Sequence, residues 1–424
     1  MRIATTVGLI VLVTAVFCTS TSVVQAGEVD ILIEKLVERG ILSPSDAREI
    51  AREVQRAAQK EHEQVVRETK EAIIKEQPAL AAGVPQWIGK TTFTGDFRLR
   101  YQFNDRGSEP DRHRGRYRLR LGCTTEVTDS IRVGFGLATG GTDPRSTNQS
   151  MTNSFETPDI RLDYAYVSYR PFSWLTLIGG KYRNPLWYQR YFLFDTDIRP
   201  EGFSLLLKHR AAPFLDLFCT AGFWILDERS GDENDPTMVV LQPGCTLQLG
   251  REAYLKNAVT LYQFSNVEGT TLDHSGGSNR LERPGGVLRH DYDTVCLSGE
   301  LGARRPLGLL PFCALYADYI TNRTISRDDQ GFLIGFRLGA EKVSRPRQWQ
   351  VAASYRRLER DAWLDIFPDA DVYSGRTNIK GYQAGLRYGL KDNVRLDVTG
   401  FFTERIKGKS RSENIVQADL NITF

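Results

Sequence analysis

The sequence has little histidine and no excess of charge of either sign, and both features exclude classes of function. Its 424 residues include 5 His, and 55 Lys and Arg are nearly balanced by 52 Asp and Glu. The histidines (His62, His113, His209, His274 and His290) lack the HxxH or HExxH spacing of a metal site, so we predict no metal and no cofactor. A nearly neutral chain also gives no signal for nucleic-acid binding.

Long apolar runs are missing as well, apart from one at the N-terminus. No later stretch reaches the roughly 18 uncharged apolar residues that a membrane-spanning helix needs. Aromatic residues are plentiful, with 21 Phe, 17 Tyr and 6 Trp, which is too much apolar mass for a disordered chain. Two classes remain: a soluble β-rich protein, or a transmembrane β-barrel whose strands alternate apolar and polar residues.

The N-terminal run has the pattern of a secretory signal peptide over residues 1–26. Arg2 precedes an apolar stretch from Val7 to Phe17, and small and polar residues lead to Ala26, after which we expect cleavage. The mature chain then leaves the cytoplasm. Its five remaining cysteines are widely spaced, odd in number and without a CxxC pair, so we expect inert side chains rather than disulfides or zinc ligands.

Residues 27–77 have the pattern of a helical segment, and residues 78–90 form the linker that follows. Gly40 is a helix stop, and Ser43 and Pro44 begin a second helix. The run to Gln77 has a thin apolar seam among many charges, which indicates a solvated helix or a weak coiled coil. We expect this segment in the periplasm, where it associates protomers or contacts peptidoglycan or another partner.

From residue 91 to 424 the hydrophobic period changes to two, which is the pattern of β-strands. Phe97, Leu99 and Tyr101 alternate with Arg98 and Arg100, so one face is apolar and the other polar. We count sixteen such strands, joined alternately by short turns and long polar loops. An even strand count and the segregation of loop lengths to two rims indicate an all-β transmembrane barrel rather than a soluble sandwich.

Three short stretches are similar to a known family. The sequences LDYAY (162–166), GGKYRNP (179–185) and DTDIRPEG (195–202) resemble the bacterial outer-membrane "putative porin" family, which joins a short helical N-terminal segment to a barrel. The resemblance implies a porin and offers no catalytic residues. Sixteen-stranded porins further imply a trimer and a third long loop, residues 184–201 here, that folds into the barrel. The last strand, ending at Phe424, resembles the signal that the barrel assembly machinery recognises.

We expect the apolar face to contact outer-membrane lipid and the polar face to line a water-filled pore, for which sixteen strands leave room. The basic residues predicted to line the pore are Arg98, Arg100, Arg116, Arg118, Arg120, Arg132, Lys181 and Arg183. Loop 184–201 carries Asp195, Asp197 and Glu201, and we hypothesise that these carboxylates face the arginines at a constriction. The alternative is that the arginines only neutralise carboxylates of the wall.

The sequence therefore predicts a non-enzymatic porin, a passive channel in the bacterial outer membrane for small hydrophilic solutes or ions. Because rings of Arg or Lys favour anions, we expect a mild anion preference. Two alternatives stay open. One is a substrate-specific channel in which loop aromatics such as Trp187 and Tyr188 bind the solute, and the other is a non-conducting structural or adhesive barrel.

Overall fold

A computed structural model describes residues 86–107, 109–231, 233–282 and 286–424, together with Asp46. The predicted signal peptide, the predicted helical segment other than Asp46, and residues 78–85 of the predicted linker lie outside the described residues. The end of that linker, Gln86–Lys90, is a short 3₁₀ segment that leads directly into the first strand.

Seventeen β-strands follow, numbered β1 to β17 in chain order. Their bounds are β1 Thr91–Asp105, β2 Arg112–Glu126, β3 Ile131–Ala138, β4 Gln149–Ser150, β5 Arg161–Phe172, β6 Leu175–Lys181, β7 Glu201–Ala212, β8 Leu215–Ile225, β9 Thr237–Leu249, β10 Ala253–Ser265, β11 Asp293–Arg304, β12 Phe312–Asn322, β13 Gln330–Gly339, β14 Trp349–Leu358, β15 Ile379–Lys391, β16 Val394–Arg405 and β17 Ser412–Thr423. The two-residue β4 lies in a loop and pairs with β2. The other sixteen strands form the wall, which confirms the predicted number.

The wall is a closed antiparallel barrel. Each wall strand pairs with its neighbours in chain order, and β1 pairs with both β2 and β17. The terminal residue completes the seam, because Phe424 and Gly95 exchange backbone hydrogen bonds of 2.9 and 2.6 Å. Closure satisfies the backbone groups that an open sheet edge would leave unpaired.

The alternation in the sequence becomes two faces of the wall. In β1, Arg98 and Arg100 are buried on the inside, whereas Leu99 and Tyr101 are exposed on the outside. Large exposed hydrophobic side chains recur on the outer face around the barrel, as expected of a surface that lipid covers. Within the described residues, no helix is long and apolar enough to cross a membrane.

Three long loops enter the barrel and pack together. They are the β6–β7 loop (residues 182–200), the described parts of the β10–β11 loop (266–282 and 286–292) and the β14–β15 loop (359–378). Their apolar side chains form one hydrophobic cluster with residues of the inner wall. At its centre Trp363 packs edge-to-face against Tyr262, with ring centroids 4.7 Å apart, and its Nε1 donates to the carbonyl oxygen of Leu193 at 2.8 Å.

Two glycines let the β6–β7 loop leave the wall. Gly180 (φ 112°) and Gly202 (φ 140°) are partners across β6 and β7. A Cβ atom at Gly180 would lie 2.4 Å from the carbonyl oxygen of Ala165, and one at Gly202 would lie 2.2 Å from that of Phe223. Because both the dihedral angle and the space exclude a side chain, only glycine fits at this bend.

Candidate functional site

Arginines from β1 and β2 stand side by side on the inner wall. The register pairs Arg98 with Arg118 and Arg100 with Arg116, and Arg120 lies two residues further along β2. The cause is the strand alternation, which directs every second side chain of both strands inwards. We call these five residues the arginine ladder.

Arg100 is the most completely paired member of the ladder. Its guanidinium group donates to both carboxylate oxygens of Asp419, at 2.7 and 2.8 Å, and to Asp371 at 2.7 Å. Asp419 lies on the neighbouring β17, opposite Arg100 in the register. Bidentate pairs of this kind are strong and fix the orientation of both groups.

Asp197 connects the β6–β7 loop to the ladder. Its Oδ1 accepts a hydrogen bond from Arg120 at 3.0 Å, and its Oδ2 accepts from the backbone N–H and the hydroxyl of Thr147 at 3.0 and 2.8 Å. Burial alone would raise the pKa of Asp197, but the guanidinium groups of Arg118 and Arg120 outweigh it and hold that pKa below its usual range. The carboxylate is therefore a fixed negative charge.

Asp195 connects two loops and accepts no hydrogen bond from an arginine of the ladder. Its carboxylate accepts the backbone N–H groups of Asp197 at 2.8 Å and of Ala370, in the β14–β15 loop, at 3.0 Å. Burial, followed by the nearby carboxylates of Asp369 and Asp197, raises the pKa of Asp195 well above its usual range. Its contacts therefore serve the packing of the loops.

The β14–β15 loop supplies two carboxylates that the sequence reasoning missed. Asp371 pairs with Arg100, and Asp369 lies two residues before it. Burial, followed by repulsion from the Asp371 carboxylate, raises the pKa of Asp369 to about 7. The sequence does contain a sign that this loop is not exposed. Its apolar run at residues 362–364 (AWL) is as unusual for an exposed loop as the apolar run at residues 191–194 (YFLF) in loop 184–201.

A cavity of about 400 Å³ lies between the ladder and these two loops. Ten arginines and six aspartates line it, an excess of four positive charges. They are Arg98, Arg100, Arg118, Arg120, Arg145, Arg183, Arg190, Arg199, Arg387 and Arg395, with Asp195, Asp197, Asp369, Asp371, Asp397 and Asp419. Over the described residues, no group of three or more His, Cys, Asp and Glu side chains is arranged to hold a metal ion.

Two of the lining arginines differ from the ladder in their surroundings. Arg183 and Arg190 are exposed, and in the part of the chain that the structure describes neither forms an ion pair. Each instead lies beside an aromatic ring, Arg183 5.9 Å from the centre of Tyr164 and Arg190 4.9 Å from the centre of Tyr191. The carboxylates of Asp369, Asp397 and Asp197 attract the Arg190 guanidinium group from beyond ion-pair distance, so its charge is offset only in part.

Four of the predicted pore and constriction residues do not line this cavity. Arg116, a member of the ladder, instead donates to Gln102 and to Ser146, both at 3.2 Å. Lys181 and Glu201 form an ion pair with each other on the neighbouring strands β6 and β7. Tyr182, the next residue, is buried inside the barrel, so the strand alternation directs Lys181 outwards. Arg132 lies on the inner wall near a short turn, where it pairs with Glu126 at 2.7 Å.

Comparison with known proteins gives a family and a fold. A family model described as "Putative porin" matches residues 104–283 and 303–424. The solved structure of OprB from Pseudomonas putida at high pH is 10% identical with a TM-score of 0.53, covering 80% of this chain and 96% of that one. The channel DcaP of Acinetobacter baumannii is 13% identical with a TM-score of 0.46, covering 79% of this chain and 97% of that one. No curated protein matches the chain. At such identities the similarity to OprB concerns the barrel fold alone.

Proposed function

The chain belongs to the family described as "Putative porin", and we propose that it is a passive diffusion channel of the outer membrane with a mild preference for anions. The observation that carries the proposal is the cavity between the arginine ladder and the inward loops, where ten arginines meet six aspartates. An excess of positive charge on the wall of a water-filled passage raises the local concentration of anions. Small hydrated solutes then cross by diffusion.

The preference is mild because most of the ladder is already neutralised. Arg100 lies between Asp371 and Asp419, and Arg118 and Arg120 share Asp96 at 2.5 and 2.6 Å. Such pairs create a strong local field and add little net charge to the passage. We assign the preference for anions chiefly to Arg183 and Arg190, the two lining arginines that form no ion pair among the described residues.

The geometry also supports a constriction, with a revised set of carboxylates. Asp197 and Asp371 lie against Arg120 and Arg100, at 3.0 and 2.7 Å, whereas Asp195 contacts backbone groups. We therefore assign the negative side of the constriction to Asp197 and Asp371. A field directed across the passage would favour small polar solutes that align with it.

Several partners belong to the same proposal and rest on the family resemblance. The outer face contacts outer-membrane lipid, the β17 strand ending at Phe424 is recognised by the barrel assembly machinery, and the porin forms trimers. Residues 27–77 extend into the periplasm. Native gel electrophoresis of full-length protein and of a variant lacking residues 28–77 tests the trimer and whether that segment contributes to it.

The experiment that tests the function is single-channel recording of purified, refolded protein in a planar bilayer with a KCl gradient. We expect discrete conductance steps and a reversal potential that favours chloride. Discrete steps with cation preference would contradict the charge assignment. A correctly folded barrel that never conducts would contradict the channel itself and favour a structural or adhesive role.

A further inference from the structure

We propose that the inner wall near the short turns holds a binding site for small organic anions that carry a flat ring. The site is a second cavity, of about 590 Å³, formed by residues of β1 to β3 and β5 to β7. Its volume is within the usual range of small-molecule sites. The proposal deepens the proposed function, on which it rests, by naming a class of solute.

Aromatic rings form one side of this cavity. The rings of Tyr164 and Tyr166 lie against the wall over two glycines of β3, with their centres 5.9 Å apart. A Cβ atom at Gly136 would lie 2.3 Å from the ring of Tyr164, and one at Gly134 would lie 2.6 Å from the ring of Tyr166. Because any side chain at these glycines would displace the rings, the wall is shaped to hold them. Tyr164 is buried and supports Tyr166, which is half-buried.

Positive charge forms the other side. Arg132, Arg170, Arg183 and Lys208 line the cavity, and among the residues that the structure describes no Asp or Glu does. Arg170, Arg183 and Lys208 are exposed, and over the described residues none of these three forms an ion pair. Glu126 and Asp129 share a smaller adjoining cavity with Arg170, but they pair with Arg132 and Lys90. The three exposed cations are therefore free to pair with an acidic ligand.

The lining also distinguishes between ligand classes. A neutral sugar needs acceptors for its hydroxyl groups, and the cavity offers the hydroxyl oxygens of five Ser and Thr residues. Among the described residues, no carboxylate, the strongest side-chain acceptor, lines it. A ring with a carboxylate matches both sides of the site, since the ring stacks on Tyr166 and the carboxylate pairs with Lys208 or Arg170. The geometry therefore favours an aromatic carboxylate over a sugar.

The position of Arg183 places this site on the route of a permeating solute. Arg183 lines both this cavity and the charged cavity beside the ladder. An anion that passes the constriction meets the Arg183 guanidinium group first and the aromatic wall next. We call this cavity the vestibule.

The test compares benzoate with two controls, benzyl alcohol, which has the ring without the charge, and acetate, which has the charge without the ring. Binding to refolded protein in detergent is measured by calorimetry, and interruption of the KCl current is measured in a bilayer. We expect benzoate to bind about tenfold more tightly than either control, since both halves of the site contribute. It should also interrupt the current.

Substitutions test the cationic side and the aromatic side of the site separately. The double substitution Arg170→Gln and Lys208→Gln should weaken benzoate about tenfold, and Tyr166→Leu should weaken benzoate about fivefold while leaving acetate unchanged. Arg304→Gln is the matched control, because Arg304 pairs with Glu341 elsewhere on the barrel, and it should leave benzoate binding unchanged.

The outcomes separate this inference from the proposed function. A channel that conducts KCl but binds benzoate no more tightly than acetate overturns the vestibule site and leaves the porin intact. A folded protein that binds benzoate without conducting overturns the proposed function and leaves the site in place. Benzyl alcohol binding as tightly as benzoate would overturn the role given to the cations.

Discussion

The two halves of the barrel interior differ in chemistry at the level of the inward loops, although β16 and β17 contribute Phe401 and Ile415 to the hydrophobic cluster. Along β8 to β14 the inner wall carries apolar side chains such as Trp224, Val240 and Phe264, and the inward loops cover them. Along β1, β2, β16 and β17 it carries charged groups such as Arg98 and Asp419, which line a cavity. We call these the filled half and the charged half. We therefore propose that only the charged half serves as the passage.

The same difference is visible along individual strands. In β1, Arg98 and Arg100 alternate with apolar residues, whereas in β9 the run from Met238 to Leu241 is apolar on both faces of the wall. A strand that is apolar on both faces needs cover on both sides, lipid outside and protein inside. Apolar residues at inward positions therefore mark the half that the loops fill.

The largest expected effect comes from disrupting the side-chain packing of the filled half. Trp363→Ala removes a fully buried side chain that contacts the rings of Phe194, Tyr262, Phe264 and Phe367, at a cost of about 3–5 kcal/mol in packing. We expect the inward loops to loosen and the single-channel conductance to rise and fluctuate. Trp349→Ala, on the outer face, is the control and should leave the conductance unchanged. An unaltered conductance in Trp363→Ala would show that the loops do not restrict the passage.

The second prediction concerns the ion pairs of the charged half. Arg100→Gln leaves Asp371 and Asp419 without their main partner, and breaking such a buried pair costs about 3–5 kcal/mol. The barrel should unfold at a lower temperature on heat-modifiability gels, and the reversal potential should move towards cations. Adding Asp371→Asn and Asp419→Asn should restore much of both properties. If the triple variant is no better than the single one, the pairing is not the cause.

A third prediction changes the charge of the passage without disturbing packing. Arg183→Gln with Arg190→Gln removes the two lining arginines that form no ion pair among the described residues, so the reversal potential should move towards zero or towards cations. Both side chains are exposed, so stability should change by no more than about 0.5 kcal/mol. Arg323→Gln, in an exposed pair with Asp293, serves as the control. An equal shift in the control would mean that the effect is general surface charge.

The smallest expected effect is a dependence on pH. The pKa of Asp369 is raised to about 7, so the side chain gains a proton as the pH falls through neutrality and the cavity loses a negative charge. Anion preference should then rise modestly below about pH 7. Because the folded pKa lies above the usual value, stability should fall as the pH rises towards 7. Asp369→Asn should remove both responses, and a variant that keeps them would identify another titrating group.

The sequence predicted the wall well and the interior only in part. Strand alternation is a local property, so each of the sixteen strands can be recognised from its own stretch of sequence, and the inward direction of the ladder follows from β1 and β2 alone. The pairing of Arg100 with Asp371 joins residues that are 271 positions apart, and no local pattern shows which loop reaches which strand. The sequence predicts Glu201 at the constriction because loop 184–201 carries it together with Asp195 and Asp197. In the structure, Glu201 instead begins β7 and pairs with Lys181.

The most direct measurement compares the two halves by chemical modification. Thr399→Cys lies in the charged cavity and Thr294→Cys lies buried among the residues of the filled half, each in a background whose native cysteines are replaced by alanine. A charged thiol reagent is then added during single-channel recording. We predict that modification reduces the current through Thr399→Cys and leaves Thr294→Cys unaffected. Reduction of the current in Thr294→Cys, with no response in Thr399→Cys, would contradict the assignment of the passage to the charged half.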